Sequence, residues 1–136
     1  MTDVKQTEEA YEDIPGTWVF DAQRARLGYH LNEFLYSLMK AENRAAFLAD
    51  EAGYTARFKM SEEQRQGVLR RDWNRLLALG GVSYALAKLA FTDHKSYQFM
   101  ASQMTGMSEK EYVEMMLKGG RSPDGWRSKS ERPGGA

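Results

Sequence analysis

Residues 27–39 read LGYHLNEFLYSLM and contain the clearest structural signal in the sequence. Their apolar side chains recur at steps of three and four residues, at Leu27, Leu31, Phe34, Leu35, Leu38 and Met39. This spacing is typical of the buried face of an α-helix. It predicts one helix from Ala22 to about Ala41, with Asp21 as its N-cap.

Signals for the starts and ends of helices divide the rest of the sequence. Ser61 and Ser108 each stand three residues before a Gln or Glu, the pattern of a capping box in which two otherwise unpaired amides are satisfied. Glycines that follow an apolar run are typical helix ends. With apolar residues at helical spacing, these signals predict helices over residues 43–57, from Ser61 to Gly80, over 82–91 and 97–105, and from Ser108 to Gly119.

The two ends of the chain differ from this helical part. Residues 1–13 carry five acidic side chains and one basic side chain, which predicts a flexible acidic arm. Residues 121–136 are rich in proline and glycine and predict a tail that is flexible or wraps around a partner. The sequence therefore predicts an all-α fold, a compact array of about five to six helices over residues 14–120 with extended N- and C-terminal arms.

The composition excludes several classes of function. The 136 residues are enough for one domain, and their 19 basic and 19 acidic side chains cancel, which argues against a nucleic-acid-binding protein. The sequence has no cysteine, so it has no disulfide, thiolate nucleophile or sulfur-ligated zinc. No apolar run is long enough to span a membrane and the first residues lack the apolar core of a secretory signal, so we expect a cytoplasmic protein.

Catalytic side chains show no recognisable pattern. The two histidines, His30 and His94, lie far apart in the sequence without the spacing of metal ligands. The serines stand outside a nucleophile elbow, and the glycine pairs follow predicted helices rather than strands. We therefore predict no catalytic residue and no metal ligand in this chain, and expect a domain that binds a partner.

A cluster of polar and aromatic residues begins the predicted helix at residue 97. Lys95, Ser96, Tyr97 and Gln98 follow His94 in a polar loop, where they could face a ligand. The alternative is a plain helix N-terminus, capped by Asp93 or Ser96.

Methionines are concentrated in the last third of the chain. They suit either a helical core or an adaptable contact surface, and we expect the core for Met100, Met104, Met107, Met115 and Met116.

Five short strings carry a resemblance to a known family. In chain order they are DIPGT at 13–17, SLMKAENR at 37–44, KSYQ at 95–98, MTGM at 104–107 and GGRSP at 119–123. In sequence and separation they resemble the alpha (small) subunit of protocatechuate 4,5-dioxygenase, a class III extradiol ring-cleaving enzyme of aromatic compound catabolism and lignin degradation.

The resemblance implies a division of labour between two chains. It implies a catalytic beta (large) subunit that holds Fe(II) with two histidines and a glutamate, and a small subunit that closes over the cleft of the large one in an α2β2 heterotetramer. The small subunit would thus bind no iron itself and would take part in the meta-cleavage of a catechol by O2.

The resemblance also implies a role for the residues around Tyr97. Tyr97 occupies a position where the family has an aromatic residue, often Phe, that projects towards the substrate. Its hydroxyl would favour an extra ring substituent, as in gallate or methylgallate, over protocatechuate. Lys95, Ser96, Gln98 and His94 would be its neighbours at the same substrate-binding edge.

Two other functions remain open on the residues alone. A non-catalytic helical interaction or regulatory module would bind a partner without any part in ring cleavage. An autonomous metalloenzyme would carry stoichiometric iron on this chain.

Overall fold

The computed structural model describes residues 10–15 and 18–121, in which every regular element is a helix. A short 3-10 helix, Ala10–Asp13, is the first of them. Nine α-helices follow within the described residues: α1 (Ala22–Leu27), α2 (Tyr29–Ser37), α3 (Ala41–Ala49), α4 (Glu51–Thr55), α5 (Glu62–Arg70), α6 (Trp73–Ala78), α7 (Ser83–Thr92), α8 (Tyr97–Thr105) and α9 (Glu109–Leu117). The predicted all-α class is confirmed. Most of the predicted acidic arm and nearly all of the predicted tail lie outside the described residues.

The predicted number of five to six helices is too low for the described part of the chain because three predicted helices are interrupted. The first interruption is at Gly28, between α1 and α2. A Cβ atom added to Gly28 would lie 2.0 Å from the carbonyl oxygen of Gly80, so the two backbones approach too closely for any larger residue. The Asn32 side chain reinforces this approach, donating to the Gly80 carbonyl (2.9 Å) and accepting from the Val82 amide (3.0 Å).

The first predicted helix also ends earlier than expected, at Ser37. Side chains of α3 bind carbonyls at this end of α2: Asn43 donates to the Ser37 carbonyl at 2.8 Å and Arg44 to the Leu38 carbonyl at 2.9 Å. Because these carbonyls are already paired, the chain can turn at once into α3.

The other two interruptions involve capping aspartates. Asp50 divides the helix predicted over 43–57, and its side chain accepts from the amide of Gly53 at the start of α4. Arg71 ends α5 in the left-handed conformation (φ 54°), and Asp72 caps α6 by accepting from the amide of Arg75. A polar residue inside an apolar pattern thus begins a new helix.

The core lies around α2 and α7. The predicted stripe is buried at Leu31, Phe34, Leu35 and Leu38, whereas Leu27 and Met39 are more than half exposed. Phe34 is at the centre of an aromatic cluster, with ring centroids 5.4 Å from Phe47, 5.5 Å from Phe58 and 6.0 Å from Tyr54. α7 contributes six buried residues: Ala85, Leu86, Ala87, Leu89, Ala90 and Thr92.

The predicted capping boxes have different outcomes. At Ser61 both bonds form, from the Gln64 amide to the hydroxyl (3.1 Å) and from the Ser61 amide to the Gln64 side chain (3.0 Å). At Ser108 the hydroxyl accepts from the Glu111 amide, but the Glu111 carboxylate accepts from the hydroxyl instead of from the Ser108 amide. The second box is therefore only half formed.

The last two helices carry four of the five methionines in the last third of the chain, and Met107 lies between them. Helix α8 has the predicted bounds and ends at Gly106, whose φ of 73° is left-handed. Met100 is buried as expected and Met104 packs against the core. Helix α9 has no buried residue and Met116 is half exposed, so the core interpretation is wrong for this helix.

Candidate functional site

Residues 94–98, which we call the lip, connect α7 to α8. At the end of α7 the amide of His94 donates to the Phe91 carbonyl (3.0 Å) and that of Lys95 to the Ala90 carbonyl (2.9 Å). His94 itself is exposed and left-handed, with φ 59°. This conformation ends the helix and sends the chain away from the axis of α7, as glycine usually does at such a position.

Ser96 is committed to contacts within the chain. Its hydroxyl oxygen accepts from the Phe99 amide (2.9 Å), which caps α8, and its hydroxyl lies 2.6 Å from Oε1 of Glu109 and donates to it. The second contact joins the start of α8 to the start of α9. Both uses of the hydroxyl are structural, so Ser96 orients the lip and has little capacity left for a ligand.

The other lip residues present their side chains to solvent. Tyr97 is the first residue of α8 and is 46% exposed, and Gln98 is also exposed. The Nζ atom of Lys95 lies 5.1 Å from the centroid of the Phe99 ring, within the range of a cation–π contact. Tyr97, Gln98 and Lys95 thus remain able to meet a partner or ligand.

An open groove of about 460 Å³ borders the lip. It has apolar and cationic walls, formed by Leu38, Met39, Arg44, Lys88, Phe91 and His94. Of the five predicted site residues, His94 alone lines it. Arg44 is fixed there, because its Nη1 donates to the carbonyls of Leu38 (2.9 Å) and Met39 (3.0 Å). A groove of this composition suits a flat apolar group that bears negative charge.

Sequence reasoning missed the cationic and aromatic walls of this groove. Lys88 and Phe91 lie on the outer face of α7, one turn and two turns after the exposed Tyr84. The Nζ atom of Lys88 lies 4.3 Å from the centroid of the Tyr84 ring. The centroids of the Tyr84 ring and of the Tyr36 ring on α2 are 6.5 Å apart. The spacing of residues 84, 88 and 91 is a helical signal, but an exposed face and a buried face give the same periodicity.

An ion-pair cluster joins Arg71, which follows α5, to Glu51 and to Asp93, the residue before the lip. Arg71 donates from Nε to Oδ2 of Asp93 (2.7 Å), from Nη2 to Oδ1 of Asp93 (3.0 Å) and from Nη1 to Oε1 of Glu51 (2.6 Å). Burial lowers the pKa of Arg71, but hydrogen bonds to Asp93 and Glu51 and the charges of both carboxylates raise it by more. The pKa of Arg71 therefore lies above its usual value, and the guanidinium stays charged.

The described residues of this chain do not fit an iron site. His30 Nδ1 lies 3.8 Å from Oε1 of Glu33, and His94 lies in the lip. Across residues 10–15 and 18–121, no group of three or more histidine, aspartate or glutamate side chains could hold a metal ion. The same residues contain no helix that is both long and apolar enough to cross a membrane.

Comparisons of the sequence with known proteins identify a family for this chain. A model of the family described as "Aromatic-ring-opening dioxygenase LigAB, LigA subunit" matches residues 31–117, more than half of the chain and nearly the whole run from α2 to α9. A gallate dioxygenase of Pseudomonas putida is 28% identical over 103 residues, which cover 76% of this chain and 30% of that relative. This chain thus matches less than a third of the relative's length. Because the family model matches more than half of the chain, the chain belongs to the LigA-subunit family of aromatic-ring-opening dioxygenases.

Proposed function

We propose that this chain is the small subunit of a non-haem Fe(II) extradiol dioxygenase and that it covers the active-site cleft of a large subunit. The family match is the observation that carries the proposal, because it is a match to a subunit and extends over the helical body. The matched part of the gallate dioxygenase is 30% of that protein, so most of that relative has no counterpart in the aligned region. We assign the missing catalytic part to the large subunit.

The iron belongs to the large subunit in this proposal. Bound there, Fe(II) would supply the activation of the catechol and of O2 that ring cleavage requires. The described residues of the small subunit offer no ligand set, so their contribution is to shape and dry the site. Water exclusion strengthens the electrostatic interactions inside a closed site, and a cover that also fixes the ring brings it into a reactive orientation.

The lip is the part of this chain that we expect to meet the substrate. Tyr97 would pack against the aromatic ring, while Lys95, Gln98 and His94 would lie near its polar substituents. Ser96 would hold these neighbours in place through its contacts with Phe99 and Glu109. The cations at the edge of the lip favour a ring that carries a carboxylate.

We propose gallate as the preferred substrate among protocatechuate, gallate and methylgallate. Two observations support this choice: the relative described above is a gallate dioxygenase, and Tyr97 carries a hydroxyl that can pair with a third ring hydroxyl. In the ring cleavage that Fe(II) on the large subunit would support, the bond between a hydroxyl-bearing ring carbon and its neighbour outside the pair of adjacent hydroxyl-bearing carbons would break, and both atoms of O2 would enter the product. We propose an assembly of two small and two large subunits, located in the cytoplasm.

Reconstitution tests the division of labour. The chain is co-expressed with the large subunit, and ring opening is measured by oxygen uptake with Fe(II) and each of the three substrates. We expect activity from the pair far above that of either chain alone, with iron found on the large subunit by elemental analysis. Stoichiometric iron and ring opening with the purified small chain alone would identify an autonomous metalloenzyme. Binding without any change in activity would identify an interaction module.

Tyr97 tests the role of the lip. Tyr97→Ala removes the packing surface for the ring, so we expect KM to rise about two- to tenfold and kcat/KM to fall, since an aromatic contact contributes about 0.5–1.5 kcal/mol. Iron content should not change. Tyr29→Ala, which removes an exposed tyrosine at the start of α2, is the matched control and should leave KM unchanged. Unaltered kinetics in Tyr97→Ala would mean that the lip does not reach the ring.

The hydroxyl of Tyr97 is tested separately. Tyr97→Phe keeps the ring and removes the polar group, so we expect the ratio of kcat/KM for gallate over protocatechuate to fall several-fold, in line with the loss of a single hydrogen bond. An unchanged ratio would remove Tyr97 from the choice of substrate.

A further inference from the structure

Two non-glycine residues have a positive φ within the described part of the chain, and an ion pair connects one of them to the residue that precedes the other. They are Arg71, which ends α5, and His94, which begins the lip. A side chain with a Cβ atom disfavours the left-handed conformation, so both positions need support from their surroundings. Arg71 binds Asp93, the residue directly before His94. Left-handed residues outside glycine concentrate where the rest of the structure fixes them for a function.

The guanidinium of Arg71 is held from several directions. It makes two parallel hydrogen bonds to the Asp93 carboxylate, the geometry in which arginine binds carboxylates most strongly. Its Nη1 donates to Glu51 and to the Val68 carbonyl (2.7 Å). Its Cζ lies 5.3 Å from the centroid of the Phe47 ring, which belongs to the core. Because Arg71 contacts α3, α4 and α5, its ion pair holds Asp93 in place relative to all three helices.

Asp93 connects the Arg71 ion pair to the lip, because its side chain binds Arg71 and its backbone directly precedes His94. It is the C-cap of α7, and its amide donates to the carbonyls of Leu89 and Ala90. With the backbone bonded to α7 and the side chain held by Arg71, the direction of the next peptide is restricted. His94 then takes its left-handed conformation, and Lys95 bonds back to Ala90.

We propose that Arg71 is a positioning residue for the lip: through Asp93 it maintains the left-handed turn at His94 and so sets the direction in which Tyr97 and its neighbours are presented. This role rests on the proposed function of the lip as the substrate-contacting edge. Arg71 itself is not part of the lip and acts only through its contact with Asp93.

Backbone amide exchange in the full chain tests the structural half of the proposal. In Arg71→Met, which keeps an apolar stem against Phe47, the amides of His94 and Lys95 should exchange at least about tenfold faster, as expected for the loss of charge-assisted hydrogen bonds. Arg71→Lys should recover only part of the protection, because an ammonium group cannot form the two parallel bonds. The matched control is Arg75→Met on α6, which removes an exposed pair with Glu63 of α5 and should leave both amides unchanged.

A rescue experiment separates positioning from general stability. Glycine adopts a positive φ without penalty, so adding His94→Gly to Arg71→Met should restore most of the protection of the Lys95 amide. If Arg71 only stabilises the fold, the second substitution will not rescue that amide, and the proposal fails. Should Arg71→Met not fold, Asp93→Asn breaks the same charged contact with a side chain of the same size, and the same exchange and rescue are expected.

Kinetics of the complex with the large subunit test the functional half. Arg71→Met and Asp93→Asn should raise KM for the ring substrate about fivefold to tenfold, with a smaller change in kcat and with iron content and assembly unchanged. Unchanged exchange at His94 and Lys95, or faster exchange with an unchanged KM, would overturn the positioning role. If the unsubstituted pair of chains opens no ring, the proposed function itself fails, an outcome distinct from a normal wild-type complex whose Arg71 variants behave like Arg75→Met.

Discussion

Helices α7 and α9 have similar lengths and carry many apolar side chains, yet only α7 is part of the core. Six of the ten residues of α7 are buried, whereas none of the nine residues of α9 is. α7 packs against α2 and α8, and α9 packs mainly against α8. α7 carries one charged residue against four in α9 and packs against two helices where α9 packs mainly against one, and both differences favour the burial of α7.

Helices α7 and α9 also differ in how much they contribute to the candidate site. The inner face of α7 fills the core, its outer face forms the wall of the groove through Lys88 and Phe91, and its C-terminal end leads into the lip. α9 touches the lip through Glu109, which accepts from Ser96. Helix α7 thus contributes both to the stability of the core and to the candidate site. Substitutions in the core around α7 and substitutions in α9 should therefore differ strongly in their effects on stability.

The largest effect is expected at the aromatic cluster that α7 helps to cover. Phe34 is fully buried and its ring contacts three others, so Phe34→Ala should lower the free energy of unfolding by about 4 kcal/mol. Urea denaturation followed by circular dichroism measures the change. Tyr36→Ala, on the exposed face of the same helix, is the control and should lose less than about 1 kcal/mol. Equal losses would mean that the core is not centred at Phe34.

The second largest effect is expected where two backbones meet beside the core. Gly28→Ala places a Cβ atom against the Gly80 carbonyl and should destabilise the protein by about 3 kcal/mol, since neither backbone can move without shifting its helix. Gly106, between α8 and α9, has a positive φ but open space around it, so Gly106→Ala should lose only about 1 kcal/mol. Thermal unfolding of both variants measures the two losses of stability. A larger loss for Gly106→Ala than for Gly28→Ala would place the tighter packing beside α9.

Local signals predicted the fold best where the chain itself supplies the cap. The Ser96 cap and Gly106 define both ends of α8, and the Ser61 box defines the start of α5. The breaks at Gly28 and Arg71 could not be predicted in the same way. One depends on the approach of Gly80 and the other on Asp93 and Glu51, all of which are distant in sequence.

The candidate site shows the same limit. The lip consists of consecutive residues, so the sequence alone places its donors and its aromatic ring together. The groove is assembled from the end of α2, the start of α3 and the outer face of α7. Arg44 belongs to one of the strings that indicate the family, but only the tertiary structure places it beside Lys88, Phe91 and His94.

A smaller effect distinguishes the two predicted capping boxes. Ser61→Ala removes a complete box whose Gln64 also donates to the Leu27 and Leu79 carbonyls, so a loss of about 1.5 kcal/mol is expected. Ser108→Ala removes the half-formed box of α9 and should lose about 0.5 kcal/mol. Urea midpoints of the two variants give the difference. A larger loss at Ser108 would show that α9 contributes more to stability than its exposure indicates.

The smallest effect is expected at the end of α9. Leu117 is 82% exposed, so Leu117→Gln removes almost no buried surface and should change stability by less than about 0.5 kcal/mol. Leu89→Gln is the matched substitution in α7, where the side chain is fully buried; an amide without a partner there should lose several kcal/mol. If Leu117→Gln leaves the melting temperature unchanged, the apolar end of α9 is not maintained for the stability of the isolated chain. A loss above about 1 kcal/mol would instead assign Leu117 to the packing of this chain and would end the contrast between the two helices.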